Sequence, residues 1–223
     1  MSKSKDGLKL PAAILFDHDG TLVDTEPLWE AAKQAICQEY GLTWTGEDTL
    51  AVLGYSIHKT LTRLQQIGVP LSLADIERKL IASMQEAFKR ATYEFLPGIA
   101  EFLAEIKEAG IPCAIVTNAT TSIAQATAQL APDIFTTVIG DQQTQNPKPH
   151  PEPYLLAAQA LGVKPADCIA IEDSPSGVRS ASAAGMKVVV VPGQAAVPAG
   201  EGDLRLSHTE LNLKDILILS NSK

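Results

Sequence analysis

Several things are scarce in this chain, and each scarcity narrows what it can be. Cysteine is rare: Cys37, Cys113 and Cys168 are odd in number and widely spaced among 223 residues. Cys113 and Cys168 lie in or beside apolar, strand-like runs, so they are read as buried free thiols and not as catalytic groups. A reducing cytoplasm fits that usage, as does the polar stretch Met1–Lys9, which has no apolar segment of the signal-peptide kind. Positive charge is also in deficit, with 18 Lys and Arg against 26 Asp and Glu and a net charge of −8. Nucleic-acid binding needs clustered cations, so that class is argued against. A phosphate ligand would need local cations or a metal to overcome the global field. No apolar run approaches the ~20 residues of a membrane span. Internal repeats and low-complexity tracts are absent from the sequence.

What is present is ordinary globular material, 45% hydrophobic and 20% charged, long enough for a core with a smaller companion. The run Ala12–Phe16 reads as a buried strand. It delivers Asp17 and Asp19, two residues apart, and breaks on Gly20. Alternation along a strand would turn both acids to one side at its C-terminal end, and His18 to the other. The pattern then becomes helical, with candidates at 26–40, 47–53, 56–66 and 72–90, punctuated by Gly41, Gly54 and Gly68-Val69-Pro70. Ile76, Leu80, Met84 and Ala87 make one apolar stripe on the last of these. From Leu96-Pro97-Gly98 onward, helices and strands alternate. Strands are expected at 112–116, 134–139, 168–171 and 187–191, and helices at 99–109, 122–130, 152–161, 175–184 and 211–219; 197–202 reads as a loop. Such alternation predicts an α/β fold, a parallel sheet with helices on both faces. The helical block is an insert after the first strand. The expected boundaries are 1–24 and 95–223 for the core and 25–94 for the insert.

Four stretches at strand ends carry chemistry. Asp17 and Asp19 repel each other unless a cation or a shared proton intervenes. Thr117-Asn118 offers a hydroxyl, an amide and free N–H groups to an anion, although the same residues suit a helix cap. Asn146-Pro147-Lys148-Pro149-His150-Pro151-Glu152-Pro153-Tyr154 holds Lys148 in a proline-stiffened loop, at small entropic cost; His150 reads as structural. Glu172-Asp173-Ser174-Pro175 suits a hard cation such as Mg²⁺, or N-capping by Asp173 or Ser174 with Pro175 at the first helical position.

Taken together, Asp-x-Asp-Gly-Thr-Leu-x-Asp at 17–24, Thr117-Asn118, Lys-Pro-x-Pro-x-x-Tyr at 148–154 and Glu172-Asp173 resemble the four motifs of the haloacid dehalogenase-like phosphohydrolases. The likeness spans about residues 12–219. It implies a Rossmann-like core with an inserted all-helical cap, in the branch of sugar-phosphate phosphatases and β-phosphoglucomutases. It further implies Asp17 as nucleophile, Asp19 as general acid and base, and Thr117, Asn118 and Lys148 as holders of the phosphoryl group. Mg²⁺ would then bind Asp17, the Asp19 carbonyl and Asp173, with Glu172 beside it or acting through water. His18 stands where the family usually has an apolar side chain, and a packing role is expected. The mutases carry a histidine and an arginine at the positions of Trp29 and Ile57, so a phosphatase acting on a small phosphorylated metabolite is expected over a mutase, with His58 and Lys59 as the residues that could substitute. A dehalogenase has no use for an acid at Asp19, and a non-catalytic binding module has none for all of Asp17, Asp19, Lys148 and Asp173.

Overall fold

In a computed structural model of the chain, residues 7–52, 57–90 and 94–222 are described. Contacts divide it into two compact units, Met1–Asp24 with Glu94–Lys223, and Thr25–Tyr93. The first is built on six strands: β1 Ala13–Phe16, β2 Cys113–Val116, β3 Phe135–Ile139, β4 Cys168–Glu172, β5 Lys187–Val190 and β6 Leu204–Arg205. They form one sheet in the order β3-β2-β1-β4-β5-β6, every pairing parallel. Strand order therefore reverses at β1, the place where open α/β sheets bind ligands beyond their carboxyl ends. The sequence pattern anticipates five of these strands. It misses β6, whose two residues are too short to show an alternation.

The second unit contains α1 Glu26–Glu39, α2 Gly46–Val52, α3 Ile57–Ile67 and α4 Leu73–Arg90. Ile76, Leu80, Met84 and Phe88 form the buried stripe of α4. Phe88 closes it in place of the expected Ala87, which is only half-buried; the larger ring takes the inward position. Lys33 of α1 is buried, paired with Glu30 and lying 5.2 Å from the Trp44 ring centroid. The pairing and the ring face supply the partners that a buried ammonium needs.

The remaining helices, α5 Ile99–Ala109, α6 Thr121–Ala128, α7 Glu152–Ala160, α8 Pro175–Ala183 and α9 Leu213–Asn221, cover the sheet. Strand alternation sorts the core into two layers. Ile14, Phe16, Cys113, Ile115, Ile169, Ile171 and Val189 pack with residues of α5, α6 and α9. Their neighbours Ala13, Leu15, Ala114, Val116, Cys168, Ala170, Val188 and Val190 pack with α7 and α8. Being covered on both faces is why these strands read as unbroken apolar runs. Phe16 anchors the first layer, edge-on to Phe102 and Phe135 with centroids 6.1 Å away, and burying such a ring is worth about 1.5–3 kcal/mol. All three cysteines are buried free thiols. Among the described residues no helix is long and apolar enough to cross a membrane.

Candidate active site

Register delivers the site. Phe16 pairs with Ile115 on one side and Ile171 on the other, so Asp17 leaves the sheet beside Glu172 and donates its N–H to the Ile171 carbonyl at 2.9 Å. Asp17, Glu172 and Asp173 each bring a carboxylate oxygen within 4.8 Å of the others, and all three are buried. Lys148 arrives from the loop before α7. Its ammonium donates to Asp17 Oδ1 at 2.6 Å, Glu172 Oε1 at 2.6 Å and the Val116 carbonyl at 2.7 Å. That accounts for all three of its protons. The Tyr154 hydroxyl donates to the same Glu172 oxygen at 2.7 Å, while the Ser174 hydroxyl donates to Oε2 at 3.2 Å. Glu172 is thus fully engaged and lies beneath the other two acids.

Three carboxylates face one ammonium, and the imbalance shows at Asp17 and Asp173. Burial raises the Asp17 carboxyl well above its ordinary range; Lys148 pulls it down, and Glu172 and Asp173 push it up again. Asp173 rises to about 7, chiefly through burial and then through the Glu172 charge. Burial disfavours the Lys148 charge, yet Asp17 and Glu172 outweigh it and hold the ammonium above its usual value. A cluster of hard oxygens with uncompensated charge fits a divalent cation of the Mg²⁺ type.

Local structure keeps these groups available. Ser174, not Asp173, caps α8, accepting from the Gly177 N–H at 3.1 Å with Pro175 in the first turn, so the Asp173 carboxylate is left to the cluster. A β-carbon at Gly177 would overlap the Glu172 carboxylate, and one at Gly20 or Gly193 would overlap Asp173. Gly20 also has φ +79°, a conformation that favours glycine. Its carbonyl accepts from His208 Nε2 at 2.8 Å, which ties the loop after β1 to the segment after β6.

The profile of the haloacid dehalogenase-like hydrolases matches residues 14–191. The chain belongs to that family. Hexitol phosphatase A of Escherichia coli (strain K12) is 36% identical over 202 residues, 88% of this chain and 90% of that protein. The crystal structure of CbbY from Rhodobacter sphaeroides in complex with xylulose-(1,5)bisphosphate is 30% identical with a TM-score of 0.79, covering 91% of this chain and 96% of that one. A putative β-phosphoglucomutase from Thermotoga maritima is 26% identical with a TM-score of 0.75, covering 92% and 98%.

Within this haloacid dehalogenase-like site, the other residues singled out by sequence fall as follows. Thr117 is buried, and its hydroxyl oxygen accepts from the Ala119 N–H at 3.0 Å, leaving the hydroxyl proton for an anion. The Asn118 side chain is committed elsewhere. It accepts from the Lys148 N–H at 2.8 Å and donates to the Lys148 carbonyl at 3.1 Å. Both ends of its side-chain amide are thus engaged by the Lys148 backbone. Asp19 lies past the end of β1, where the chain has begun to turn, so strand alternation does not govern it; its side chain is 38% exposed. Its charge is felt at Asp173. His150 accepts from the Glu152 N–H at 3.2 Å and, through its carbonyl, from Ser180 at 2.6 Å, a structural role at the start of α7. Of the helical-unit positions, Ile57 begins α3 and is exposed, Trp29 lies in α1, and 54–56 fall outside the described residues. Tyr154 ends the Lys-Pro-x-Pro-x-x-Tyr stretch, and nothing in its spacing points to its bond with Glu172; Gly177, Gly193 and His208 carry no local signal at all.

Proposed function

We propose that the protein is a Mg²⁺-dependent phosphatase that hydrolyses a small phosphate monoester, a phosphorylated sugar or sugar alcohol, through an aspartyl-phosphate. The observation that carries this reading is the Asp17–Lys148–Glu172 arrangement beside Asp173. It supports an aspartate nucleophile held by a fixed cation next to a metal-binding pair of acids. The relatives named above add to it, since two of them are phosphatases or bind a sugar phosphate.

In this reading an Asp17 oxygen attacks phosphorus, and the bond from phosphorus to the ester oxygen breaks. Asp19 gives its proton to the departing alkoxide. Asp19 then takes a proton from water as the water oxygen attacks phosphorus and the Asp17 carboxylate leaves. The Thr117 hydroxyl and the Asn118 N–H bind phosphoryl oxygens. Lys148 orients Asp17 and lowers the repulsion between carboxylate and phosphate, roughly 4 kcal/mol per charge pair at 4 Å and an effective dielectric of 20. Asp17, Asp173 and the Asp19 carbonyl would hold Mg²⁺, with Glu172 beside it; when bound, the ion supplies further neutralisation of the phosphate. Residues 25–94 serve as the cap and the rest as the core, and the enzyme works in the cytoplasm on a small molecule.

A phosphosugar mutase is the second reading, supported by the likeness to the putative β-phosphoglucomutase. It would need a cation to grip a second phosphate, and Ile57 offers none. The test supplies β-glucose 1-phosphate with a bisphosphate activator and follows glucose 6-phosphate and free phosphate together. Hydrolysis predicts free phosphate as the faster product. Isomerised product forming faster would overturn it.

A further inference from the structure

We propose that His18 is a positioning residue that orients the Asp19 carboxylate for proton transfer, braced from behind by the Thr127 hydroxyl. The inference rests on the phosphatase reading of Asp19. Among the described residues, two buried side-chain polar atoms lack a hydrogen-bond partner, His18 Nδ1 and Thr21 Oγ1. Both belong to the loop that follows β1. Such orphaned groups are uncommon enough in folded proteins that each calls for a physical reason.

His18 has no exposed surface. It lies in the bend just past β1, with its ring towards α6, where its Nε2 lies 2.7 Å from Thr127 Oγ1. The same ring places Nδ1 3.5 Å from Asp19 Oδ2. A neutral imidazole carries one N–H. On Nε2 it would leave a bare Nδ1 lone pair facing a carboxylate, two acceptors opposed in a buried place. On Nδ1 it faces Asp19, and Nε2 accepts the Thr127 hydroxyl proton, so each polar atom has a use. The second tautomer is therefore the one assigned. At 3.5 Å the contact is just too long for a good hydrogen bond, and a movement of about half an ångström completes it. Catalytic hydrogen bonds often tighten in this way only as the reacting complex forms. Asp19 sits beyond the strand end and is partly exposed, whereas His18 is buried and pinned to a helix. The imidazole thus brings the rigidity of the core to a carboxylate on a loop, which a purely apolar side chain at position 18 would not.

The test uses the leaving group. Alkoxide departure needs the Asp19 proton, while p-nitrophenolate departure does not. His18→Phe fills the same space without either hydrogen bond; His18→Asn keeps a donor near the Nδ1 position. In single turnovers with Mg²⁺ and glucose 6-phosphate, His18→Phe should slow phosphoryl transfer by about 10- to 100-fold, the scale of a misplaced catalytic group. The burst of p-nitrophenolate from p-nitrophenyl phosphate should stay within about threefold of wild type, because no acid is needed in that step. His18→Asn should recover most of the loss. Should His18→Phe fail to fold, Thr127→Val removes the brace alone and should show the same ester dependence in weaker form. Equal losses with both esters, no loss, or no recovery with Asn would overturn the inference. Phosphate release surviving in Asp17→Asn would instead overturn the phosphatase reading.

Discussion

At the scale of single residues, the site depends on how few protons serve how many acids. Lys148 has three to give and gives them to Asp17, Glu172 and the Val116 carbonyl. Asp17→Asn removes the nucleophile with little change in shape, so turnover is expected to fall below about one per cent of wild type, with an unchanged circular dichroism spectrum. Substantial residual phosphate release would displace Asp17 from its role. Tyr154→Phe removes one of the two buried donors to Glu172 Oε1, leaving Lys148 alone there; losing a hydrogen bond to a charged group typically costs about 1.5–3 kcal/mol and should lower the melting temperature. It should also lower kcat, because Glu172 then holds Lys148 less firmly; a variant matching wild type in both would deny Tyr154 that part. The acids and Thr117 were legible because strand-end motifs fix their place in the chain, and Lys148 because the prolines around it mark its loop. The Asn118 side-chain clamp, the Glu172–Tyr154 bond and the His18–Thr127 bond were not, since each joins residues whose proximity depends on how loops and helices pack.

At the scale of elements, α8 begins directly over the acids. Its first turn brings Gly177 against the Glu172 carboxylate, with no room for a β-carbon. Gly177→Ala would gain intrinsic helix propensity of about 1 kcal/mol, but overpacking a buried site costs typically 1–3 kcal/mol. The carboxylate it displaces is held by Lys148, Tyr154 and Ser174. A net loss of stability with a larger loss of kcat is expected, read by urea unfolding and phosphate release; a stabilised, fully active variant would contradict it. Burial on both faces made β1, β2, β4 and β5 easy to see as apolar runs. The same logic could not find β6, because two residues carry no period. Helix ends moved by one or two residues for a related reason: α9 begins at Leu213, where Asn212 accepts from the Asp215 N–H at 3.0 Å, and not at the earlier Leu211, which packs into the core.

At the scale of the whole molecule, an acidic chain of net charge −8 places three carboxylates around one ammonium in its interior, and its stability should register the strain. Asp173 has its pKa raised from the ordinary 3.8 to about 7 in the folded protein. Between those values the folded state holds a proton that the unfolded state has released. By linkage, the stabilisation from that proton is complete below about pH 4 and is lost as the pH rises through about 7. Asp17, also raised, acts in the same direction. With chelator present, the melting temperature should therefore fall between pH 5 and pH 8. Mg²⁺ binding at the cluster opposes the fall, and more strongly at the higher pH, where protons no longer compete for the same oxygens. At a hundred times its dissociation constant a ligand of the folded state adds about 2.7 kcal/mol, which in a chain of this size raises the melting temperature by roughly 5–10 °C. That increment is expected at pH 8, with a much smaller one at pH 5. A Mg²⁺ effect equal at both pH values, or absent at both, would show that the ion does not meet these carboxylates. Repeating the scan with Asp173→Asn separates the two contributions: the pH-dependent fall should shrink in chelator, and the Mg²⁺ increment should vanish, because the residue that releases the proton is also the one proposed to hold the metal.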